Sequence, residues 1–471
     1  MKKIFFNKYF IFIFSFLLMF FYLMPLPDLF YGSGDAHETW GVIKTFFSSD
    51  KYTSYVMYKG LYAFVPGVIC YQLSNILNIS FVLIMKVFHS LGFAYIASVG
   101  IPYIIRYLFK YDIKVWQKYL FIVMLFILEN SLFVFISVDF MSVALLVMCI
   151  NSLIKITNNL NINKAYYLYS GFIIGICTCL SGQFLLSALI LAIYFVYLIV
   201  KRFDRKKIVL ILVLFFTGFI FATGLNKVYV KTVVEPARNN GAWIPDGSFW
   251  LKFNFTSSML ITNYPMELKD NLGGTIILNE KLNVNDISSG AVLYDTPDMI
   301  KMVLRYPVIF FVRWSERFLL GILNDRYNSY PIGTIFKPIM QTFIMVTLLF
   351  VSLLLAKRNT KKVKDLLSFK NIIILCFIFS ALVPCVFHVE NRYFFGFRTF
   401  IIAIFCLSDF LPNLIKKLEN DIKNFKFKNL VNYKLNHTFV EYIIFVIVVC
   451  MLYIAIYQSA GANISMPYEI F

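Results

Sequence analysis

An all-α membrane protein with many crossings is what this sequence predicts, and three observations predict it. Of its 471 residues, 60% are hydrophobic and 19% aromatic, while charged residues make up 15%; a soluble domain carries about 25%. Apolar stretches of roughly 17–25 residues recur along the chain, each long enough to cross a hydrocarbon core of about 30 Å. Every backbone group in such a stretch must bond within its own segment, so the spans are helices. Third, the Lys and Arg residues behind the net charge of +19 gather in short segments between the apolar runs, the pattern of cytoplasmic loops. Cationic loops facing anionic lipid account for that charge, and no nucleic-acid partner is expected.

The first run, "MKKIFFNKYFIFIFSFLLMFFYLMPLP", is too long for a signal-peptide core and no small-x-small cleavage site follows it. It reads as a retained first span. Six basic clusters then anchor the topology: Lys2 to Lys8, Arg106 to Lys118, Lys155 with Lys164, Lys201 to Lys207, Lys357 to Lys370 and Lys416 to Lys434. If all face the cytoplasm, an even number of crossings separates each from the next. The segment 59–109 decides the count. Its first half contains Pro66-Gly67 and polar Gln72, Ser74 and Asn75, so it reads as an interfacial helix on the outer face.

The expected spans are 9–27, 81–107, 118–137, 140–156, 165–180, 183–200, 208–225, 335–356, 371–388, 395–411 and 438–457. That makes about eleven crossings, N-terminus inside. The chain is one membrane domain over 1–471. It has a first external loop at 28–80 with interfacial helices, a long external loop at 226–334 and a basic cytoplasmic loop at 412–437. The stretch "YPVIFFVRWSERFLLGILNDRY" in the long loop reads as a further interfacial helix carrying Arg313 and Arg317. The eight cysteines fall nearly all within apolar runs and read as small core residues, with no catalytic thiol among them.

The segment "YGSGDAHETW" opens the first external loop. Ala36, Trp40, Ile43 and Phe47 share one face at helical spacing. Asp35 stands at the N-cap position with Glu38 three residues on, an Asp version of the capping box. A carboxylate at a helix N-terminus beside a bilayer can also be held ionised and aimed, which suits a general base. His37 reads equally well as a plain surface residue. Glu129, with Asn130, lies in the outer half of the third span, where a buried carboxylate marks a partner or a pathway. Lys86 and His89 raise the same question in the second span.

This layout resembles the GT-C class of membrane glycosyltransferases, in particular the protein mannosyltransferase and aminoarabinose transferase superfamily. The order "GDAHETWGVIKTFFSSD", "KYTSYVMYKGLYAFVPGVICYQLSNILN", "ISFVLIMKVFHSLG…RYLFK" repeats that family's acid-bearing loop, surface helices and second span. The resemblance implies a GT-C-like bundle of about 11 transmembrane helices, with Asp35 as catalytic base. Family members carry a second acid where this chain has Ala36, and Glu38 is the candidate replacement. The division of labour between the acids and any need for a divalent metal stay open. Lys59, in "YKGLYAFV", matches a family lysine that would contact the donor phosphate, while the proline beside it is absent; an ordinary interfacial lysine is the equal alternative. Asp139 fits the family's acid at the start of the fourth span. In "FHVENRYFFGFR", Arg392-Tyr393 matches an Arg-Tyr pair suited to a phosphate, with Glu390 as its ion-pair partner or a substrate contact. Arg313 adds a further cationic contact.

The implied activity is transfer of a sugar from a polyprenyl-phosphate-linked donor to a cell-envelope glycan, lipid or protein acceptor on the outer face. The Lys-, Asn-, Ile- and Phe-rich usage fits a low-GC genome and a bacterial plasma membrane. A transporter or flippase of lipid-linked saccharides, or a polymerase of them, is the alternative. The gathering of polar candidates at the outer interface favours an enzyme.

Overall fold

The computed structural model describes residues 8–26, 35–48, 51–134, 138–159, 162–180, 182–245, 296–305, 368–387, 391–409 and 411–413. It also describes single positions at 249, 252, 307, 311, 314, 315, 318, 322, 415 and 416. Among these residues helices are the only regular secondary structure, with no strand. In chain order the helices are α1 (Lys8–Leu23), α2 (Asp35–Lys44), a 3₁₀ turn (Tyr55–Lys59), α3 (Leu61–Leu77), α4 (Phe81–Phe109) and α5 (Val115–Glu129). Then follow α6 (Val138–Asn158), α7 (Ala165–Leu180), α8 (Gly182–Arg202), α9 (Arg205–Asn239), α10 (Thr296–Arg305), α11 (Phe369–Phe387) and α12 (Phe395–Leu407).

Among the described residues, six helices are long and apolar enough to cross a membrane: α4, α6, α8, α9, α11, and α12 with its continuation to Asn413. The chain is thus a multi-pass membrane protein, set in a lipid bilayer. Three shorter apolar helices, α1, α3 and α7, accompany them. Each expected span that falls on described residues coincides with a helix, whereas 335–356 and 438–457 lie outside them. Two boundaries differ from expectation. Helix α5 ends at Glu129 and tightens into a 3₁₀ turn over Asn130–Phe133. Helix α9 passes the expected end at 225 and continues through a π-turn (Val230–Val234) to Asn239. At 35 residues it is about 52 Å long, well over the hydrocarbon thickness.

Backbone contacts divide the chain into two compact units. The first comprises Met1–Ile244, Ser352–Ser380 and Arg392–Glu419; the second Pro245–Val351, Ala381–Asn391 and Asn420–Phe471. In the second unit the Trp314 indole N–H donates to the Leu382 carbonyl at 3.4 Å, and the Phe311, Trp314 and Phe318 rings stack in turn.

The first unit packs by close backbone approach and by satisfying polar atoms inside its helices. On α7 and α9, Gly171 and Gly175 face Gly218 and Ala222. A Cβ at Gly171 would overlap the Phe215 carbonyl oxygen, and one at Gly218 that of Leu168. Small residues at four-residue spacing let two membrane helices touch along their backbones. Within α4, a π-turn over Tyr95–Gly100 precedes Pro102, which has no N–H to donate. The Asn151 amide of α6 donates to the Gly100 carbonyl there at 3.2 Å.

The described basic residues collect at one end of this unit. Lys370 donates to the Leu108 carbonyl at 2.5 Å, Arg202 donates to that of Thr157, and the Lys155 ammonium sits 5.0 Å from the Tyr166 ring. The Gln117 amide closes the C-terminus of α12 by donating to the Cys406 and Ser408 carbonyls at 2.9 and 2.8 Å. Helix α2 and the N-terminal ends of α4, α6, α8 and α12 lie at the opposite end. Cys70, Cys149, Cys177, Cys376, Cys385 and Cys406 are buried, as small core residues should be.

Candidate active site

The acid-bearing helix α2 begins at Asp35 and ends at Lys44. Its buried face is Ala36, Thr39, Val42 and Ile43. Phe47, expected on that face, lies beyond the helix end and is 72% exposed. Trp40 is half-buried, its indole stacked on Phe81 at 4.4 Å and edge-on to Tyr71 at 5.6 Å. Gly67 in α3 leaves the space that the Ile43 side chain fills. Two aromatic contacts and one interlocking aliphatic therefore seat α2 on α3 and on the start of α4.

Tyr52 closes over the other face of α2. Its hydroxyl donates to Glu38 Oε2 at 3.0 Å, and its backbone N–H donates to Thr45 Oγ1 at 2.8 Å. Its ring lies where a Cβ on Gly41 would stand. Glu38, Gly41 and Thr45 follow one another along one helix face, so α2 receives a single tyrosine at three points. Partial burial, then the hydrogen bond and charge of Glu38, hold the Tyr52 phenol above its ordinary pKa. The Glu38 carboxylate thus serves Tyr52, where the capping-box reading would have turned it back to the helix start. His37 is exposed.

Lys59 is half-buried and ends the 3₁₀ turn that Ser54 begins, with Ser54 Oγ accepting from the Val56 N–H. Gly60 follows at φ +81° and ψ 177°, a region essentially reserved to glycine. The extended part of α9 fixes this bend: Asn226 Oδ1 accepts from the Leu61 N–H at 2.8 Å. A turn earlier on α9, the Ala222 carbonyl accepts from the Tyr62 hydroxyl at 2.7 Å. Tyr229 stacks on Phe46 of the α2 loop, 6.0 Å between ring centres and nearly parallel. Residues 226–239, expected as loop, are therefore a helical wall behind Lys59 and α2.

A second neighbourhood lies around α5, α6 and α12. Asp139 is buried in the first turn of α6, where a carboxylate complements the helix dipole. Its neighbour Phe140 lies 4.6 Å from the His89 ring, and His89 Nδ1 is 2.7 Å from the Phe133 carbonyl oxygen. The Lys86 ammonium, one turn up α4, donates to the Met24 and Leu26 carbonyls at 2.9 and 2.8 Å. It secures the end of α1 from which the acid-bearing loop departs. Helix α4 links the two neighbourhoods: Phe81 lies under Trp40, and His89 lies beside Phe140.

Glu129, read from the sequence as a buried carboxylate with a partner or a pathway and as a candidate substrate contact, is enclosed: its side chain is 1% exposed. Both oxygens are engaged by Arg398, Nε to Oε1 at 2.5 Å and Nη2 to Oε2 at 2.7 Å. The partner demanded by a buried carboxylate is this arginine, and it joins α5 to α12. Arg398 ends the very stretch that carries Arg392-Tyr393, and its position inside an apolar helix was the signal for it.

Arg392 and Tyr393 lie in a 3₁₀ turn (Asn391–Phe394) directly before α12. Tyr393 is half-buried, and its carbonyl accepts from the Gln183 amide of α8 at 3.5 Å. Glu390 and Arg313 lie outside the described residues, as do the side chains of Asp35 and Arg392. Among the described residues, no three His, Cys, Asp or Glu side chains converge as a metal site would require. Asp35, Glu38 and Lys59 thus fall in one neighbourhood, Asp139 and Tyr393 in the other, both remote from the basic end. Tyr52, Asn226, Gln183 and Arg398 join them as residues that sequence reasoning passed over. No protein-family model, no curated protein and no solved structure matches the chain.

Proposed function

We propose that this protein is a GT-C-type glycosyltransferase with about eleven crossings and a cytoplasmic N-terminus. It would transfer a sugar from a polyprenyl-phosphate donor to a cell-envelope glycan, lipid or protein on the outer face of a bacterial plasma membrane. One observation carries the reading. The first loop folds back as an acid-bearing helix packed on α3, α4 and the extended α9, at the end of the first unit opposite the basic clusters. A basic end facing the cytosol is the ordinary orientation, and it turns α2 outward.

In this mechanism Asp35 takes the proton from the acceptor hydroxyl as its oxygen attacks the anomeric carbon. The bond from that carbon to the phosphate oxygen breaks, and its electron pair leaves with the polyprenyl phosphate. One displacement inverts the anomeric centre. Lys59, Arg392 and Tyr393 stabilise the negative charge on the departing phosphate, and Asp139 orients the sugar. Glu38, fixed by Tyr52, stands one helical turn from Asp35 as the second acid.

Lipid extraction tests the assignment. Cells lacking the gene, complemented by the wild type or by Asp35→Asn, are compared for polyprenyl-linked sugars. Accumulation of one such lipid in the deletion and the variant, cleared by the wild type, is the expected result. An unchanged lipid profile in the deletion would refute the activity, and full complementation by Asp35→Asn would remove that residue as base.

A further inference from the structure

Helix α9 changes its surface at Lys227. Before that residue its exposed side chains are mostly apolar, as at Val213, Phe216, Ile220 and Leu225. Beyond it Lys231, Thr232, Glu235, Arg238 and Asn239 are exposed. From Lys207 to Lys227 the helix covers about 30 Å, one hydrocarbon thickness, so the hydrocarbon boundary lies near Lys227. From Lys227 to Arg238 the helix rises about a further 16 Å, while a headgroup layer takes about 5–8 Å. The end of α9 stands in water.

That end is rigidly capped. Gly241, at φ +89°, donates its N–H to the Arg238 carbonyl, and the Ala242 N–H donates to that of Ala237, both at 3.0 Å, the Schellman pattern of a helix stop. Arg238 Nε donates to the Ile244 carbonyl at 2.8 Å, and Ile244 is buried. Between these fixed points Trp243 is 56% exposed. Its ring centre lies 6.2 Å from that of half-buried Tyr55, the planes 52° apart. Tyr55 opens the 3₁₀ turn that ends in Lys59. Exposed indoles commonly anchor at the membrane interface, but the height of this one sets it beyond the headgroups. An indole face in water, with exposed Arg238, Asn239 and Asn240 on the same cap, suits a pyranose ring. The slightly positive axial C–H groups of the sugar lie on the negative π face, and its hydroxyls bond to the polar side chains around it.

We propose that Trp243, flanked by Tyr55, is a stacking site for a pyranose ring of the acceptor. This site, which rests on the sugar transfer proposed above, narrows the acceptor to a glycan. A polyprenyl-linked donor carries its phosphate at headgroup depth, so a ring held beyond the headgroups belongs to the molecule that receives the sugar.

Two readouts test it. In the lipid-extraction comparison, Trp243→Ala, at wild-type abundance and melting temperature, should accumulate the same polyprenyl-linked sugar as the deletion. Trp243→Phe, which keeps an aromatic face, should accumulate less. A wild-type lipid profile in Trp243→Ala cells would overturn the acceptor site and leave the transferase standing, whereas an unchanged profile in the deletion sinks the transferase itself. Saturation-transfer NMR on the full-length protein in lipid nanodiscs reads binding without turnover, with chitotriose, maltotriose and mannotriose as probes. Transfer to the ring C–H protons of a probe should fall severalfold in Trp243→Ala and less in Trp243→Phe. Transfer that survives Trp243→Ala, or none to any probe in the wild type, would overturn the site. So would quenching of the Trp243 fluorescence, taken as wild type minus Trp243→Phe, by lipids brominated in their acyl chains, since that places the indole in the bilayer.

Discussion

Arg398 of α12 and Glu129 of α5 meet through two hydrogen bonds, at 2.5 and 2.7 Å, with both side chains 1% exposed. The two residues are 269 positions apart in sequence, and their pairing holds the turn carrying Arg392 and Tyr393 against the end of α5. A pair this deeply buried need not stabilise the fold by itself, because desolvation offsets its attraction. Its loss on one side is another matter.

Removing one partner strands the other charge in the bundle. Glu129→Leu and Arg398→Met should each destabilise the purified protein by about 3–5 kcal/mol. The double replacement Glu129→Leu with Arg398→Met should recover most of that loss. Thermal unfolding of the four proteins in one detergent measures the coupling, and simple additivity of the two single losses would contradict the pairing.

Glycines at the α7–α9 contact should be far less replaceable than one nearly two turns further along α9. Gly218→Val drives a side chain into the Leu168 carbonyl and should cost several kcal/mol, on the order of a severe core overpacking. Gly224 has nothing within 4 Å of a Cβ. Gly224→Ala should therefore be neutral or stabilising by up to about 1 kcal/mol. Melting temperatures of the two variants decide this, and similar losses in both would be evidence against the close helix contact.

The bend at Gly60 depends on its backbone and on Asn226. Gly60→Ala meets both an unfavourable φ and the Asn226 side chain, 2.5 Å from the added Cβ, and should cost about 1–3 kcal/mol. Asn226→Ala leaves the Leu61 N–H without its acceptor, at a cost of about 1–3 kcal/mol. If Lys59 contacts a donor phosphate, both variants should also raise the KM for donor more than they lower kcat. Unaltered donor kinetics in both would detach Lys59 from the site.

The Tyr52–Glu38 link has a defined pH window. A phenol whose pKa is raised in the folded state favours its neutral form there, so its stabilising effect is complete below the ordinary value of about 10. It is lost as pH rises through the higher folded value. The melting difference between wild type and Tyr52→Phe should be constant from neutral pH up to about 10 and shrink above it. A difference that grows with alkalinity would contradict the raised phenol.

Much of the fold was legible because length and apolarity decide what can span a bilayer. The α3 segment could be separated from α4 because Pro66-Gly67 and the polar residues after them mark a helix that is not an ordinary span. The α9 extension was not legible. Lys227, Lys231, Glu235 and Arg238 make 226–239 read as loop, and it is contacts made by Asn226 and Tyr229 with distant segments that seat it as helix. Glu129 could be recognised as a carboxylate in need of a partner, but its sequence neighbourhood holds no sign of Arg398. At the candidate site the acid positions could be read, while Tyr52 could not. Its role arises from Gly41 and Thr45, which look unremarkable until the ring lies across them.

The orientation of the two ends of the first unit is the point on which the enzymatic reading rests. His37, beside the acid-bearing start of α2, and Lys207, in the basic end, are both exposed and can each be replaced by cysteine. Labelling of intact cells with a membrane-impermeant maleimide measures the sidedness directly. His37→Cys should label in intact cells and Lys207→Cys only after permeabilisation; the reverse pattern would place Asp35 in the cytosol and contradict sugar transfer at the outer face.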